Sequence, residues 1–387
     1  MGYRMNKKDF VTKLSPRLAA YKLNRWFGIG KTSPMTLTYS VTTACQSRCK
    51  TCNIGCVYME NPERIKLDMT LNEIEKIFAT MKPVYFFNIS GGEPFLRNDL
   101  PQIVELACKY LKPRIIHTPT NAIMPARIEE KTREILEIVR RYDPTVPFTV
   151  KPSIDGVGEL HDEIRGVEGN FKKLLETVDR LKKIEEEYPT FHLELGTVIS
   201  NYNIDRLGEI EDFVHSLGVE SYRNEVAEQR TEFFNLGDPI TPDAATYQRL
   251  IKDFARKTEE NIARKKDLAK MTEALRIVYY DIAGRILEEN RQVIPCYAGI
   301  SNVHINFDGG VWPCCVLGYD KEMGNLRECD YDFQKLWKSP QAKAVRKSIK
   351  RKECVCPLAN QGYSNILLHF RSLVRAAWKS YQFGRKK

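Results

Sequence analysis

The chain has 387 residues, 42% of them hydrophobic, which is ample for a core and suits one large α/β domain plus a smaller one. No run of 18 apolar residues occurs, so no transmembrane helix is expected, and the N-terminus MGYRMNKKDF lacks the apolar stretch of a secretion signal. Eleven cysteines in so long a chain are therefore read as reduced, metal-binding thiols of a reducing cytoplasm, not as disulfides. Residues 1–31 carry a net charge of +7 and residues 366–387 a net charge of +6, which leaves 32–365 at −3 out of a total of +10. A mildly acidic body argues against a nucleic-acid-binding core and puts any anionic partner at the ends.

Residues 1–33 form a basic amphipathic segment. Within Phe10–Phe27, Leu14, Leu18, Tyr21, Leu23, Trp26 and Phe27 alternate with Lys13, Arg17, Lys22 and Arg25. From residue 34 to about 240, six β-rich runs alternate with helical patterns: Leu37–Val41, Val84–Ser90, Arg114–Thr118, Phe148–Ile154, Leu193–Ile199 and Ser221–Val226. The first helix opens on Thr70 and Glu73, a capping-box spacing; the later ones fall near 99–111, 128–141, 170–186 and 204–217. The alternation predicts a parallel sheet, and six units predict a partial (β/α)6 TIM-like barrel with its chemistry at the C-terminal strand ends. Residues 241–295 read as a helical connector. Residues 296–360 read as a compact cysteine-rich unit with a hairpin, Val303–Phe307 turning at Asp308-Gly309-Gly310 into Val311-Trp312. Residues 361–387 read as a second basic amphipathic helix. Two readings of the ends stay open: contact with an anionic membrane surface, or helices that pack on the barrel with their basic faces in water.

Unusual residues gather at the strand ends. Cys45, Cys49 and Cys52, spaced C-x3-C-x2-C, follow the first run. Gly91, Gly92, Glu93 and Pro94 follow the second, and Asn121 the third. Ser153, Asp155 and Gly156 end the fourth, and Asn224 lies in the sixth. Three thiolates on one short loop can hold three corners of an iron–sulfur cube, and the fourth iron is left open for a ligand. The competing reading is a structural zinc loop, with Cys56 as a fourth ligand. Glycines at a strand end let a ligand approach the backbone closely.

Together these motifs resemble the radical SAM superfamily (SAM, S-adenosylmethionine). The pattern continues through His161-Asp162, Arg165-Gly166 and Asn170-Phe171 and covers about 36–226. The resemblance implies a [4Fe–4S] cluster on Cys45, Cys49 and Cys52, with SAM on its open iron. It implies that Gly91, Gly92, Glu93 and Pro94 hold the SAM amino group, and that Ser153 and Arg165 hold its carboxylate. Asp155 and Asn121 fall near the ribose and Asn224 near the adenine. Thr51 stands where the family often has an aromatic residue.

A second set resembles the SPASM/twitch extension. Cys296 is followed by Gly309 and, after four intervening residues, Cys314; Cys354 and Cys356 come after Trp337 and Arg346. The resemblance implies one auxiliary [4Fe–4S] cluster on Cys296, Cys314, Cys354 and Cys356. Cys315 competes with Cys314, and zinc competes with the cluster. Cys108 is read as core, Cys56 as a packed thiol or a hydrogen donor, and Cys329 is left over.

The expected activity is reductive cleavage of SAM to a 5′-deoxyadenosyl radical that abstracts hydrogen from an unactivated C–H bond, fed by a flavodoxin or ferredoxin. The basic ends point to a lipid or lipid-linked sugar as substrate, and to a cytoplasmic protein peripheral on the inner membrane. The alternatives are a peptide or protein side chain, favoured by the SIDG pattern, and a non-enzymatic zinc scaffold. No catalytic acid or base is assigned. Glu225, Glu228 and Arg230 either face the cleft or are solvated loop charges.

Overall fold

The computed structural model describes residues 15–28, 32–264 and 268–384. Leu14, Lys13 and Phe10 of the N-terminal pattern lie outside them. Six parallel strands occupy the expected runs: β1 Thr36–Ser40, β2 Phe86–Ser90, β3 Ile115–Thr120, β4 Phe148–Pro152, β5 Phe191–Ile199 and β6 Ser221–Val226. Each is joined to the next by helical segments on the outer face. The helix Leu71–Thr80 carries the capping box in full: the Thr70 hydroxyl accepts from the Glu73 amide, and the Glu73 carboxylate accepts from the Thr70 amide.

Strand residues alternate between two environments, as the two-residue repeat of a strand requires. Leu37, Tyr39, Phe87, Ile89, Ile116 and Val150 are fully buried, and Tyr39 and Phe87 both meet Phe78 of the covering helix edge-on. The opposite face is polar, and its residues bond one another across strands. His117 Nδ1 lies 2.7 Å from Asn88 Oδ1, Lys151 Nζ donates to Glu225 at 3.3 Å, and Arg223 pairs with Glu194 at 2.9 Å. A filled TIM barrel packs branched apolar chains inside. This one lines its lumen with hydrogen-bonding groups and so presents a polar interior.

The cysteine-rich unit continues the same sheet. Strand β7 Asn302–Ile305 pairs in parallel with β1, matching Thr36 to Asn302, and β8 Gly310–Trp312 and β9 Gly324–Asn325 follow antiparallel. The full order is β6-β5-β4-β3-β2-β1-β7-β8-β9. The edge that a bare six-strand barrel would expose at β1 is thereby covered. The hairpin turn lies where expected, with Gly309 at φ +90° and Gly310 N–H donating to Asp308 at 3.1 Å. The connector forms two helices, Ala244–Arg264 and Leu268–Glu289, packed on each other and on the C-terminal helices Ala359–Leu368 and Phe370–Gly384. Among the described residues no helix is long and apolar enough to cross a membrane.

Candidate active site

The loop after β1 carries Cys45, Cys49 and Cys52, and its backbone is clasped from two sides. The amides of Arg48 and Lys50 donate to the carbonyls of Arg165 and Ile164 at 3.2 and 2.8 Å, while Gly92 and Glu93 donate to Thr42 and Ala44, both at 2.8 Å. Gly92 is needed for this approach, because a Cβ there would lie 2.2 Å from the Ala44 carbonyl. Burial pushes the Cys45 thiol up to about 12 and raises Cys49 and Cys52 as well; neighbouring thiols add to the rise at Cys45 and Cys52. The three therefore converge on one buried space.

Zinc needs a tighter arrangement. Zn–S bonds of about 2.3 Å put tetrahedral thiolates about 3.8 Å apart. Among the described residues, the one group of three metal-ligating side chains whose ligand atoms all lie within 4.8 Å is Glu232, His304 and Cys315. In neither expected cysteine set do three sulfurs come that close, so neither is drawn together as a zinc site.

Around the loop stand the residues expected to hold SAM. Glu93 is 1% exposed, and burial pushes its carboxyl up to about 7. Its oxygens accept from Phe95 N–H, the Thr120 hydroxyl and Asn121 N–H at 3.1, 3.0 and 2.6 Å, so much of its bonding capacity ties β2 to β3. The Asn121 amide group donates to Gln46 and Ser47 at 3.3 and 3.1 Å and braces the cysteine loop. Asp155 accepts from Val198 N–H and from Arg165 Nη1 at 2.8 and 3.0 Å. The Arg165 guanidinium is buried near Cys49 and Cys45, and its Nε has no hydrogen-bond partner. The buried Asn224 Oδ1 also has none. Ser153 is half-buried and bridges to Gly196 of β5. Asn224, however, shares the Tyr222 and Val226 face of β6, opposite the lumen-facing Arg223 and Glu225, so the strand turns it away from the expected adenine side. The unspent guanidinium donor of Arg165 fits the carboxylate of a ligand such as SAM.

The second cysteine set lines a separate pocket. Cys296, Cys354 and Cys356 share it with Gln292, Gln361 and Asn365. Cys314 faces Cys296 and Cys354, whereas Cys315 faces Arg230, which donates to its sulfur at 3.4 Å. Gln292 donates to Cys354 Sγ at 3.3 Å. Cys108 is core and Cys56 is half-buried on the helix after the first loop. Cys329 donates to the carbonyl of Asn325 at 3.6 Å.

The loop after β6 joins the two centres. Asn235 donates to Thr51 O and the Asn53 amide to Phe233 O, both at 2.8 Å, so residues 233–235 grip the first cysteine loop. On the other side Glu228 lies beside Cys356 and holds Arg230 at 2.8 Å. Glu228, Arg230 and Glu232 are all nine-tenths buried, so they are not solvated loop charges. Glu232, its carboxyl raised to about 7 by burial, lies 3.8 Å from His304, which in turn meets Ser40 at 2.7 Å. Sequence reasoning missed Glu232, His304, Lys151 and His117. For His304, Lys151 and His117 the signal was the polar member of each strand's alternation, which reads as solvent-facing until the lumen is known; Glu232 lies on the short helix Thr231–Phe233 and carried no such signal.

Known proteins bear on this geometry. Residues 39–214 match the model of the radical SAM superfamily, and residues 296–357 match that of the SPASM iron–sulfur cluster-binding domain. The AdoMet-dependent heme synthase of Oleidesulfovibrio alaskensis is 25% identical over 82% of this chain and 78% of its own length. The antilisterial bacteriocin subtilosin biosynthesis protein AlbA of Bacillus subtilis is 23% identical over 84% of this chain and 66% of its own. Among solved structures, Streptococcus suis SuiB bound to precursor peptide SuiA superposes with a TM-score of 0.56 at 16% identity, over 89% of this chain and 73% of that one. Native anSMEcpe with bound AdoMet and a peptide reaches 0.59 at 15% identity, over 92% of this chain and 100% of that one. These likenesses of structure establish the fold.

Proposed function

The chain belongs to the radical SAM superfamily and carries an SPASM domain, and from that premise we propose that it modifies a peptide or protein side chain by hydrogen abstraction from an unactivated C–H bond. With the [4Fe–4S] cluster and SAM bound, one electron breaks the S–C5′ bond and supplies methionine and a 5′-deoxyadenosyl radical. Cys45, Cys49 and Cys52 hold that cluster and leave one iron to SAM. Arg165 takes the SAM carboxylate with Ser153 beside it, and its pairing with Asp155 fixes the guanidinium plane. Gly91, Gly92 and Pro94 present backbone to the amino group, and Glu93 acts mainly by fixing that backbone. Asn121 positions the cysteine loop near the ribose side. Cys296, Cys314, Cys354 and Cys356 hold one auxiliary cluster. Cys315 stays outside it, as a substrate-side thiol. Electrons come from a flavodoxin- or ferredoxin-type donor.

The observation that carries the reading is the loop 228–235, which bonds the first cysteine loop through Phe233 and Asn235 and carries Glu228, Arg230 and Glu232 buried beside Cys315. A substrate lying there sits between a radical source and an iron–sulfur centre, with Glu232 placed to take up a proton. A peptide substrate is supported by the likeness to the subtilosin biosynthesis protein and to the complex of SuiB with its precursor peptide SuiA. Heme-synthase names among the relatives add tetrapyrroles to the candidates. A lipid or lipid-linked sugar has only the terminal helices behind it.

The test uses reduced, reconstituted enzyme with SAM and deuterated cell extract split into peptide, lipid and porphyrin fractions. Deuterium appearing in 5′-deoxyadenosine with the peptide fraction supports the reading. Label that appears only with the lipid or the porphyrin fraction overturns it.

A further inference from the structure

A surface helix normally turns its apolar stripe to the core and its polar face to water. Both terminal helices bury one face and leave a second, apolar stripe exposed to water. On Ser15–Phe27 the exposed positions are Pro16, Ala19, Leu23, Trp26 and Phe27, all apolar; Trp26 and Phe27 are 65% and 67% exposed. On Phe370–Gly384 the stripe Phe370, Val374 and Trp378 recurs every four residues and is 71%, 50% and 59% exposed. The inner face of that helix is modest, with Ser372, Ala376 and Phe383 buried. Two ion pairs hold it in place, Arg375 to Asp281 at 2.6 Å and Lys379 to Glu259 at 3.2 Å. The two helices are neighbours through Ala359–Leu368, where Tyr21 and Leu368 join one apolar cluster.

The rim of this surface is basic. Lys350 Nζ donates to the Trp26 carbonyl at 3.0 Å, exposed Arg351 and Lys352 follow it, and exposed Arg371 lies on the second helix itself. Residues 15–28, 338–352 and 366–384 contain no Asp or Glu. Among the described residues, seven of the fourteen exposed large apolar side chains belong to these two helices, so the pattern is a concentration and not scatter.

We propose that the two helices form a docking surface for an anionic lipid bilayer and lie in its headgroup plane with Trp26, Phe27, Phe370 and Trp378 inserted. Aromatic rings with a cationic rim suit that boundary. A second copy of the chain would meet the face with the same cations and be repelled. The nearby acids Asp281, Glu259 and Glu353 pair with Arg375, Lys379 and Arg351, which leaves Lys350, Lys352 and Arg371 as the cations that lipid phosphates would meet. The proposal concerns where the enzyme works and is independent of which substrate it takes.

The full-length, cluster-loaded protein is sedimented with vesicles of phosphatidylcholine alone, or with about one third phosphatidylglycerol. Binding is expected only to the anionic vesicles, weakening as salt rises, with a blue shift of tryptophan emission. The triple variant Trp26→Ser, Phe370→Ser, Trp378→Ser is expected to bind at least about tenfold more weakly while keeping wild-type iron content and SAM affinity. Those two readouts exclude a folding defect and leave the active-site reading unaffected. If the wild type ignores anionic vesicles at low salt, or the triple variant binds as well as it does, the proposal falls. A dimer in light scattering that the triple variant abolishes, without vesicle binding, reassigns the surface to self-association.

Discussion

Arg165 brings together three facts that its sequence position does not contain. Its backbone carbonyl accepts from the cysteine loop, its Nη1 bonds Asp155, and its Nε is buried without a partner. Side chain and backbone therefore have separable roles. Arg165→Lys keeps the loop contact and the charge but loses the planar fork, so SAM affinity should fall about tenfold or more at unchanged iron content, measured by equilibrium dialysis on reconstituted protein. Cys314 and Cys315 divide in the same way. Cys314→Ser should reduce the iron count by up to about four per chain, whereas Cys315→Ser should leave it intact. Equal iron in the two variants would refute the assignment. The residue types of these positions were legible in the sequence. That Cys315 turns to Arg230 was not, because adjacent residues in an irregular loop have no fixed period.

At the scale of elements, the cysteine loop is set by how closely its neighbours approach. The helix Ile54–Glu60 begins against that loop at Gly55, where a Cβ would lie 1.8 Å from the Ser47 carbonyl. Gly55→Ala must push backbone against backbone, at a cost of about 1–3 kcal/mol. The first cluster should then load poorly in iron analysis while the auxiliary iron persists. The terminal helices show the limit of pattern reading at this scale. Their apolar stripes were visible from three- and four-residue spacing. Spacing fixes only that a face exists; whether it meets core or solvent depends on which face the neighbours cover. Strand alternation carries the same ambiguity. Leu37, Tyr39 and Val41 were seen, while the polar partners Thr38 and Ser40 were not recognised as lumen-facing.

Across the whole molecule, the auxiliary unit and the barrel behave as one sheet. Glu73, the capping-box residue of the first helix, also accepts from Arg327 at 2.8 Å and from Tyr331 at 3.1 Å. It thus joins the first β/α unit to the cysteine-rich segment. The hydrogen bond from Arg327 is the main reason its carboxyl is held down to about 2. A carboxyl held below its unfolded value stabilises the fold above about pH 4.5, and that contribution fades as pH falls through the folded value. Glu73→Gln should therefore cost about 1–2 kcal/mol at neutral pH, seen as a lower Tm, with the difference constant from about pH 6 to 8. A difference that grows or vanishes across that window would contradict the linkage.

The sequence by itself determined the chemistry of the first step. C-x3-C-x2-C, GGEP and SIDG each stand at the C-terminal end of a strand, and Arg165 closes the short helix that follows the fourth. A period-two pattern followed by a helix is local information that the chain cannot hide. The cysteine count of the auxiliary set was local too. Tertiary structure decided what depends on long-range pairing: that β7 extends the sheet from β1, that Glu228, Arg230 and Glu232 are buried between two cysteine centres, and that the terminal helices face their apolar stripes outwards. Those outcomes follow from which surfaces meet after the chain has closed on itself, and no short window of sequence records that.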